Sequence, residues 1–357
     1  NVGTETSGSI LSPANQNLLA AVKPTVGRIS RFGIAPITAD QDTAGPMART
    51  VTDAAILLGV LEGASPDPKD EATSRCPRVD DYVRFLDPKA LAGARLGVPR
   101  AFFVDPVTPP GGKEPRGGLT PSQRVLFEGS LARLRELGAV IVDPADVPSV
   151  VAPEASSNFL AWPVCSGYDN GKGKDADCSI VFKYGMKRDF NPWLAALGPN
   201  APVKTLAELR QWNVGHQKMG AIKYGQALLD ISDEMDVAAD AARYRLDRAK
   251  DLRLSAEQGL DRVIAEQRLD AVLFAGGAGA GIAAKPGYPT VMVPLGFVEN
   301  APEKAPVSPG PAFPAGFEAR PAPFGLSFTG LACSEPRLLA LAYAFEQATR
   351  RRVPPRL

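Results

Sequence analysis

The segment from Gly3 to Ile10 combines small and hydroxylated residues in an order that suits nucleophilic catalysis. It is Gly-Thr-Glu-Thr-Ser-Gly-Ser-Ile, with Gly8 directly before Ser9. Small residues allow successive backbone N–H groups to converge on one concavity, and a serine hydroxyl at its rim then has oxyanion donors beside its own oxygen. The same residues also suit an ordinary turn that caps a helix, with Ser9 or Ser12 as the N-cap residue.

Two further motifs precede residue 50: residues 22–25 are Val-Lys-Pro-Thr, and residues 42–46 are Asp-Thr-Ala-Gly-Pro. With the first segment they resemble the amidase signature family, and within it the peptide amidases that remove C-terminal amide groups. The resemblance implies a carboxamide hydrolase that releases ammonia, with Ser9 as the acyl-forming nucleophile. It also implies an oxyanion hole built from the backbone amides of Thr6, Ser7, Gly8 and Ser9.

The mechanism of that family also needs a lysine base and a second serine on a cis peptide bond, both N-terminal to the nucleophile motif. The chain begins at Asn1, so we expect both groups to lie upstream and the sequence to be the C-terminal portion of the family domain. Lys23 matches a downstream motif and is not expected to replace the base. A serine hydroxyl is a poor nucleophile without a base. We therefore expect the chain alone to have negligible amidase activity and the missing N-terminal segment to be its required partner.

Two departures from the family motif concern specificity. Ser7 replaces a glycine, which keeps the backbone N–H, and Leu11 stands where some members carry an arginine. Leu11 is thus a candidate pocket residue, and neutral or apolar acyl groups are the expected substrates. Two alternatives stay open. The chain could be a non-catalytic fragment or one chain of a two-chain enzyme, or it could be a tRNA-dependent amidotransferase subunit, which Leu11 and the near-neutral charge disfavour.

Charge and hydropathy exclude several classes of partner. The 40 basic and 39 acidic residues nearly cancel, so bulk charge predicts no binding to nucleic acid or anionic lipid. No apolar run reaches the roughly twenty residues that a membrane span needs, so we expect no membrane segment. The family chemistry requires no cofactor, and localisation, cytoplasmic or exported, stays open.

Histidine and cysteine are too few for a metal site. The single histidine, His216, falls at an expected helix start, and no Cys-x-x-Cys pair occurs. A Ser-His-Asp hydrolase would have to use His216, but capping or surface exposure is the expected role. Four cysteines are too few for a disulfide scaffold. We expect free thiols, although Cys165 and Cys178 flank one loop and could pair in an exported protein.

The order strand, helix, strand over residues 96–142 predicts an α/β fold with parallel pairing and a buried strand at 139–142. The resemblance implies an α/β/α layered mixed sheet of the amidase signature type, N-terminally truncated, with residues 1–357 as its C-terminal portion. Residues 144–267 are expected to be a variable, helical region that shapes the substrate site, and residues 299–323 a Pro/Ala/Gly-rich surface insertion.

Two features of these later segments could contribute to a substrate site. The glycine run at 276–281 lacks the spacing of a dinucleotide loop and is expected at the rim of the active site. Five aromatic residues in the variable region could line a pocket or anchor loops on the core: Trp162, Tyr168, Phe182, Tyr184 and Trp193.

Overall fold

The protein is described by a computed structural model over residues 1–299 and 320–354. Eight strands form one mixed sheet in the order β1-β3-β2-β7-β8-β6-β4-β5. Most of the expected insertion at 299–323 lies outside the described residues. The strands are β1 (Val2–Glu5), β2 (Ala20–Lys23), β3 (Thr43–Ala48), β4 (Arg95–Gly97), β5 (Val140–Val142), β6 (Ala271–Ala275), β7 (Thr290–Val298) and β8 (Ala322–Thr329).

The helices cover both faces of the sheet and fill the region from residue 148 to residue 267. A π-helical stretch, Arg253–Leu260, joins α8 to α9. The α-helices are α1 (Leu11–Gln16), α2 (Val51–Glu62), α3 (Pro121–Glu136), α4 (Pro148–Val151), α5 (Val181–Ala196), α6 (Leu206–Gly215), α7 (Ala227–Asp233), α8 (Ala241–Leu252), α9 (Asp261–Gln267), α10 (Ala280–Ala284) and α11 (Glu335–Thr349).

Local sequence signals explain where the longer helices begin. The Thr50 side chain accepts the backbone N–H of Asp53 at the start of α2. Thr120 and Gln123 form a reciprocal capping box at the start of α3, with Pro121 in the first turn. Both caps satisfy N–H groups that have no partner inside the helix.

Parallel pairing around α3 is confirmed, because β4 pairs in parallel with both β5 and β6. The other neighbouring strands pair antiparallel, so the sheet is mixed. The expectation that residues 139–142 are buried is wrong. β5 is the last strand of the sheet, and Val140 is 45% exposed there, because an edge strand has a neighbour on one side only.

The central strands are buried on both faces, and alternate residues belong to different cores. In β6, Leu273 packs with the core beneath α2, α3 and α11, whereas Val272 and Phe274 pack with α9 and α10. The period of two residues in a strand produces this division. It yields the three-layer α/β/α arrangement that the resemblance implies.

A buried ionic network joins the segment after β2 to two distant helices. The Arg28 guanidinium donates to Glu62 at 3.0 Å and to Glu335 at 2.9 Å, and all three side chains are almost fully buried. Glu335 also accepts the backbone N–H of Thr25 at 2.7 Å. Burial by itself would lower the pKa of Arg28, but the two carboxylates raise it above its usual value. No sequence pattern predicts this network.

The expectation of free thiols is wrong. The four cysteines form two disulfides, Cys76–Cys333 and Cys165–Cys178. The first joins residues 257 positions apart, which no local pattern indicates. The second closes the loop whose two flanking cysteines could pair on sequence grounds.

Glu335→Gln should destabilise the full-length protein by about 3–5 kcal/mol, because it leaves Arg28 buried with one charged partner instead of two. The matched control is Glu266→Gln, since Glu266 pairs with Arg262 on the surface with about half of each side chain exposed. That change should cost no more than about 1 kcal/mol. Urea denaturation gives both free energies of unfolding, and similar losses in the two variants would contradict the prediction.

Candidate active site

The Ser9 segment forms a tight loop between β1 and α1. Gly8 adopts a φ of 91°, a region that favours glycine. Its carbonyl accepts the N–H of Ser12 at 2.6 Å. The alternative of an ordinary serine cap does not hold, because Ile10 occupies the N-cap position of α1 and makes no side-chain cap.

Glu5 holds the end of this loop from inside the protein. Its side chain is buried, and Oε2 accepts the N–H groups of Ile10 at 2.8 Å and Leu11 at 3.0 Å. By contrast, the N–H groups of Ser7, Gly8 and Ser9 have no hydrogen-bond acceptor within residues 1–299 and 320–354. Three successive donors beside a serine hydroxyl are therefore available to a ligand.

Asp42 ties the start of the loop to the segment before β3. It accepts the Thr6 hydroxyl at 2.5 Å and the N–H groups of Ile37 and Thr38 at 2.9 Å each. Burial raises the pKa of Asp42 to about 6, although these three hydrogen bonds oppose the shift. The Gln41 side chain adds a bond from Nε2 to the Thr6 carbonyl at 3.2 Å.

Lys23 lies at the end of β2 and is fully buried. Its Nζ donates to the Tyr288 carbonyl at 2.6 Å. Burial lowers the pKa of Lys23 to about 8, while Glu5 and Glu335 act in the opposite direction. In the described part of the chain Lys23 makes no hydrogen bond to Ser9, so its observed role is to join β2 to the start of β7.

A cavity of about 350 Å³ lies beside the loop, with Ser7 in its wall. Aromatic and aliphatic side chains make up most of the lining, together with two polar side chains, Gln41 and Lys285. The aromatic residues are Phe102, Phe159, Trp162 and Phe182. Gly281 also lines this cavity, and the neighbouring Ala280 lies next to Gly8. The glycine run thus borders the loop, and a five-residue helix, α10, forms where no helix was expected.

Only part of the predicted aromatic set lines this cavity. Trp162 and Phe182 do so. Tyr184 stacks on Tyr244 at 4.4 Å, and Trp193 stacks on Phe190 at 5.4 Å. Tyr168 is 62% exposed and donates to Asp230.

A buried ion pair stands behind the cavity wall. Lys285 donates to Asp251, which also accepts Trp162 Nε1 at 3.0 Å and the Ser179 hydroxyl at 2.8 Å. Burial lowers the pKa of Lys285, and Asp251 opposes that shift. Neither this pair nor Gln41 was among the predicted site residues. The only local signal for Lys285 is its place directly before the Pro-Gly-Tyr-Pro segment.

Two other candidate residues lie away from this cavity. The Leu11 side chain is 1% exposed and packs with Ile10, Ala14 and Met292. Leu11 therefore contributes to the core and is not among the residues that line the cavity. His216 is at the C-terminal end of α6 and not at a helix start; its ring stacks on Trp212 at 3.8 Å.

The described residues contain no cluster of three or more histidine, cysteine, aspartate or glutamate side chains that could hold a metal ion. Across the same residues, none of the helices combines the length and the apolar character needed to cross a membrane.

The mixed sheet, the helical layers and the serine loop define an α/β protein with a candidate serine nucleophile. The sequence profile of the Amidase family matches residues 1–339, and the chain belongs to that family. The resemblance that the three motifs indicate is thereby confirmed.

Individual relatives agree with this assignment. The chain is 30% identical over 359 residues to an Arabidopsis thaliana protein named "Probable amidase", covering 99% of the chain and 58% of the relative. It is 30% identical over 371 residues to a glutamyl-tRNA(Gln) amidotransferase subunit of Ralstonia pickettii, covering 97% and 65%. The structure of native peptide amidase from Stenotrophomonas maltophilia matches with a TM-score of 0.74 at 32% identity, covering 99% of the chain and 63% of that protein. The chain thus spans less than two thirds of each of these relatives.

Asp42→Asn should change how stability depends on pH. The folded-state pKa of about 6 exceeds the ordinary value of 3.8, so the folded protein retains a proton that the unfolded chain releases between about pH 4 and 6. The stability that this proton contributes is complete below about pH 4 and is lost as the pH rises through 6. The native protein should therefore lose up to about 3 kcal/mol relative to the Asn variant across this window. Urea denaturation of both proteins from pH 4 to 8 measures the difference, and a constant difference would contradict the prediction.

Proposed function

We propose that the full-length protein hydrolyses a carboxamide through an acyl-enzyme on Ser9. The observation that carries the proposal is the set of three unpaired N–H groups on Ser7, Gly8 and Ser9 within the described part of the chain. With Thr6 they would form the oxyanion hole, because such donors stabilise the negative oxygen of a tetrahedral intermediate. Glu5 supports this arrangement by taking the next two N–H groups of the loop.

The reaction proceeds in two steps. The Ser9 oxygen attacks the amide carbon while a base accepts the hydroxyl proton, and that proton then passes to the leaving nitrogen so that ammonia departs. Water attacks the acyl-enzyme in the second step and releases the carboxylic acid and Ser9. No metal ion or organic cofactor takes part in either step.

We assign the base to the lysine and cis serine that the family resemblance places N-terminal to the motif. Lys23 is less suited to this role, because its Nζ already donates to the Tyr288 carbonyl. The segment that supplies the base is thus the principal partner in this proposal. The alternative, a non-catalytic fragment or one chain of a two-chain enzyme, differs in the source of that base.

Among carboxamides, we propose the C-terminal amide of a peptide as the substrate class. The cavity beside Ser7 is lined largely by apolar and aromatic side chains, which suits an apolar side chain of an acyl group. The 32% identity to the Stenotrophomonas maltophilia peptide amidase supports the same class. The similarity to the Ralstonia pickettii protein keeps the role of a tRNA-dependent amidotransferase subunit open, and it is the second candidate.

Ser9 should be the residue that a fluorophosphonate labels covalently. The reagent requires an activated serine, so the test uses protein that includes any encoded sequence N-terminal to Asn1. Mass spectrometry should locate the adduct on Ser9, and Ser9→Ala should remove both the adduct and ammonia release. The control is Ser156→Ala, an exposed serine away from the loop, which should retain both. Labelling of another serine with Ser9 untouched would refute the assignment.

The protein should prefer amides with a neutral acyl group to amides with a nearby free carboxylate. The side chain at position 11 is a buried leucine, which cannot pair with a carboxylate. An ionic hydrogen bond contributes about 1.5–3 kcal/mol, so its absence should disfavour the acidic substrate by roughly ten- to a hundredfold in kcat/KM. Ammonia release from N-acetylphenylalaninamide and from N-succinylphenylalaninamide measures the ratio. Equal rates would count against this specificity.

A further inference from the structure

The cavity beside Ser7 presents one acceptor and one donor that the protein leaves unused. Gln41 is 2% exposed, and its Nε2 is held by the Thr6 carbonyl. Its Oε1 has no hydrogen-bond partner among the described residues. A buried amide oxygen without a partner costs free energy in the empty site. A ligand N–H would remove that cost.

Lys285 supplies the complementary donor. An ammonium group has three N–H donors, and within the described residues only Asp251 accepts one of them from the side chain. Because Asp251 neutralises the charge of Lys285, the pair offers N–H donors without a net positive charge. Such a donor suits a neutral carbonyl oxygen better than a carboxylate.

The two groups together match one secondary amide. A peptide link carries one C=O acceptor and one N–H donor, and a buried site that lacks either partner discriminates strongly against analogues. The aromatic lining of the cavity suits the side chain beside that link. Neither residue belongs to the three motifs that carry the family resemblance.

We propose that Gln41 and Lys285 recognise the peptide link next to the scissile amide, with Gln41 Oε1 accepting its N–H and Lys285 Nζ donating to its carbonyl oxygen. This inference rests on the proposed function, because it names the specificity-determining residues of that same site. Asp251 acts as a positioning residue that holds the Lys285 ammonium.

Three ligands separate the two contacts. N-acetylphenylalaninamide has both groups, O-acetyl-3-phenyllactamide replaces the N–H by an ester oxygen, and 3-phenylpropionamide lacks both. Calorimetry in a Ser9→Ala background of the full-length protein measures their dissociation constants without turnover. Ammonia release in the Ser9 protein is measured separately, so an inactive protein would refute the proposed function while the binding ratios still test this inference.

For Gln41, the informative quantity is the ratio of the dissociation constants of the ester and the amide. Gln41→Leu should lower that ratio by about two- to twelvefold, the range of a neutral hydrogen bond. Gln217→Leu, at an exposed position after α6, should leave it unchanged. A loss of affinity that is equal for both ligands would assign Gln41 to the packing of the loop and overturn its role.

For Lys285, the informative ratio compares 3-phenylpropionamide with N-acetylphenylalaninamide. Lys285→Met alone would leave Asp251 buried without its ammonium partner, so the test variant combines it with Asp251→Asn. The ratio should fall by about ten- to a hundredfold, as expected for a hydrogen bond from a charged donor. Asp251→Asn alone should retain most of the discrimination. An unchanged ratio in the double variant would overturn the proposal for Lys285.

Discussion

The buried contact of Arg28 with Glu62 and Glu335 is the interaction on which the arrangement of the sheet depends. It joins the segment after β2 to the end of α2 and the start of α11. Because each of these charges is expensive to bury alone, the three side chains are stable only when the two helices and the strand occupy their observed positions. The network therefore couples the N-terminal motifs to the last helix of the chain.

The same electrostatic environment extends to the serine loop. Lys23 lies between the network and the loop, and both Glu335 and Glu5 favour its charged form. Glu5 in turn binds the N–H groups at the start of α1. Gly45 allows this close packing, because a Cβ there would lie 2.1 Å from the Val22 carbonyl oxygen. The loop is thus held by buried polar contacts from below, and its own N–H groups at residues 7–9 have no partners in the described part of the chain.

The cavity beside the loop is assembled from segments far apart in the chain. Ser7 and Gln41 come from the N-terminal part, and Trp162 and Lys285 come from regions more than a hundred residues later. Asp251 connects the last two, since it accepts hydrogen bonds from both. A donor and an acceptor meet in one cavity only because α8, α10 and the segment before β3 pack together.

The sequence by itself determined the features that depend on neighbouring residues. Helix caps at Thr50 and Thr120, parallel pairing around α3 and the order of the three motifs follow from local pattern, because each involves residues a few positions apart. Tertiary structure alone decided the Cys76–Cys333 disulfide, which spans 257 positions. It also decided the exposure of β5 and the meeting of Gln41 with Lys285. Sequence patterns do not encode such features, because each depends on which distant segments pack against one another.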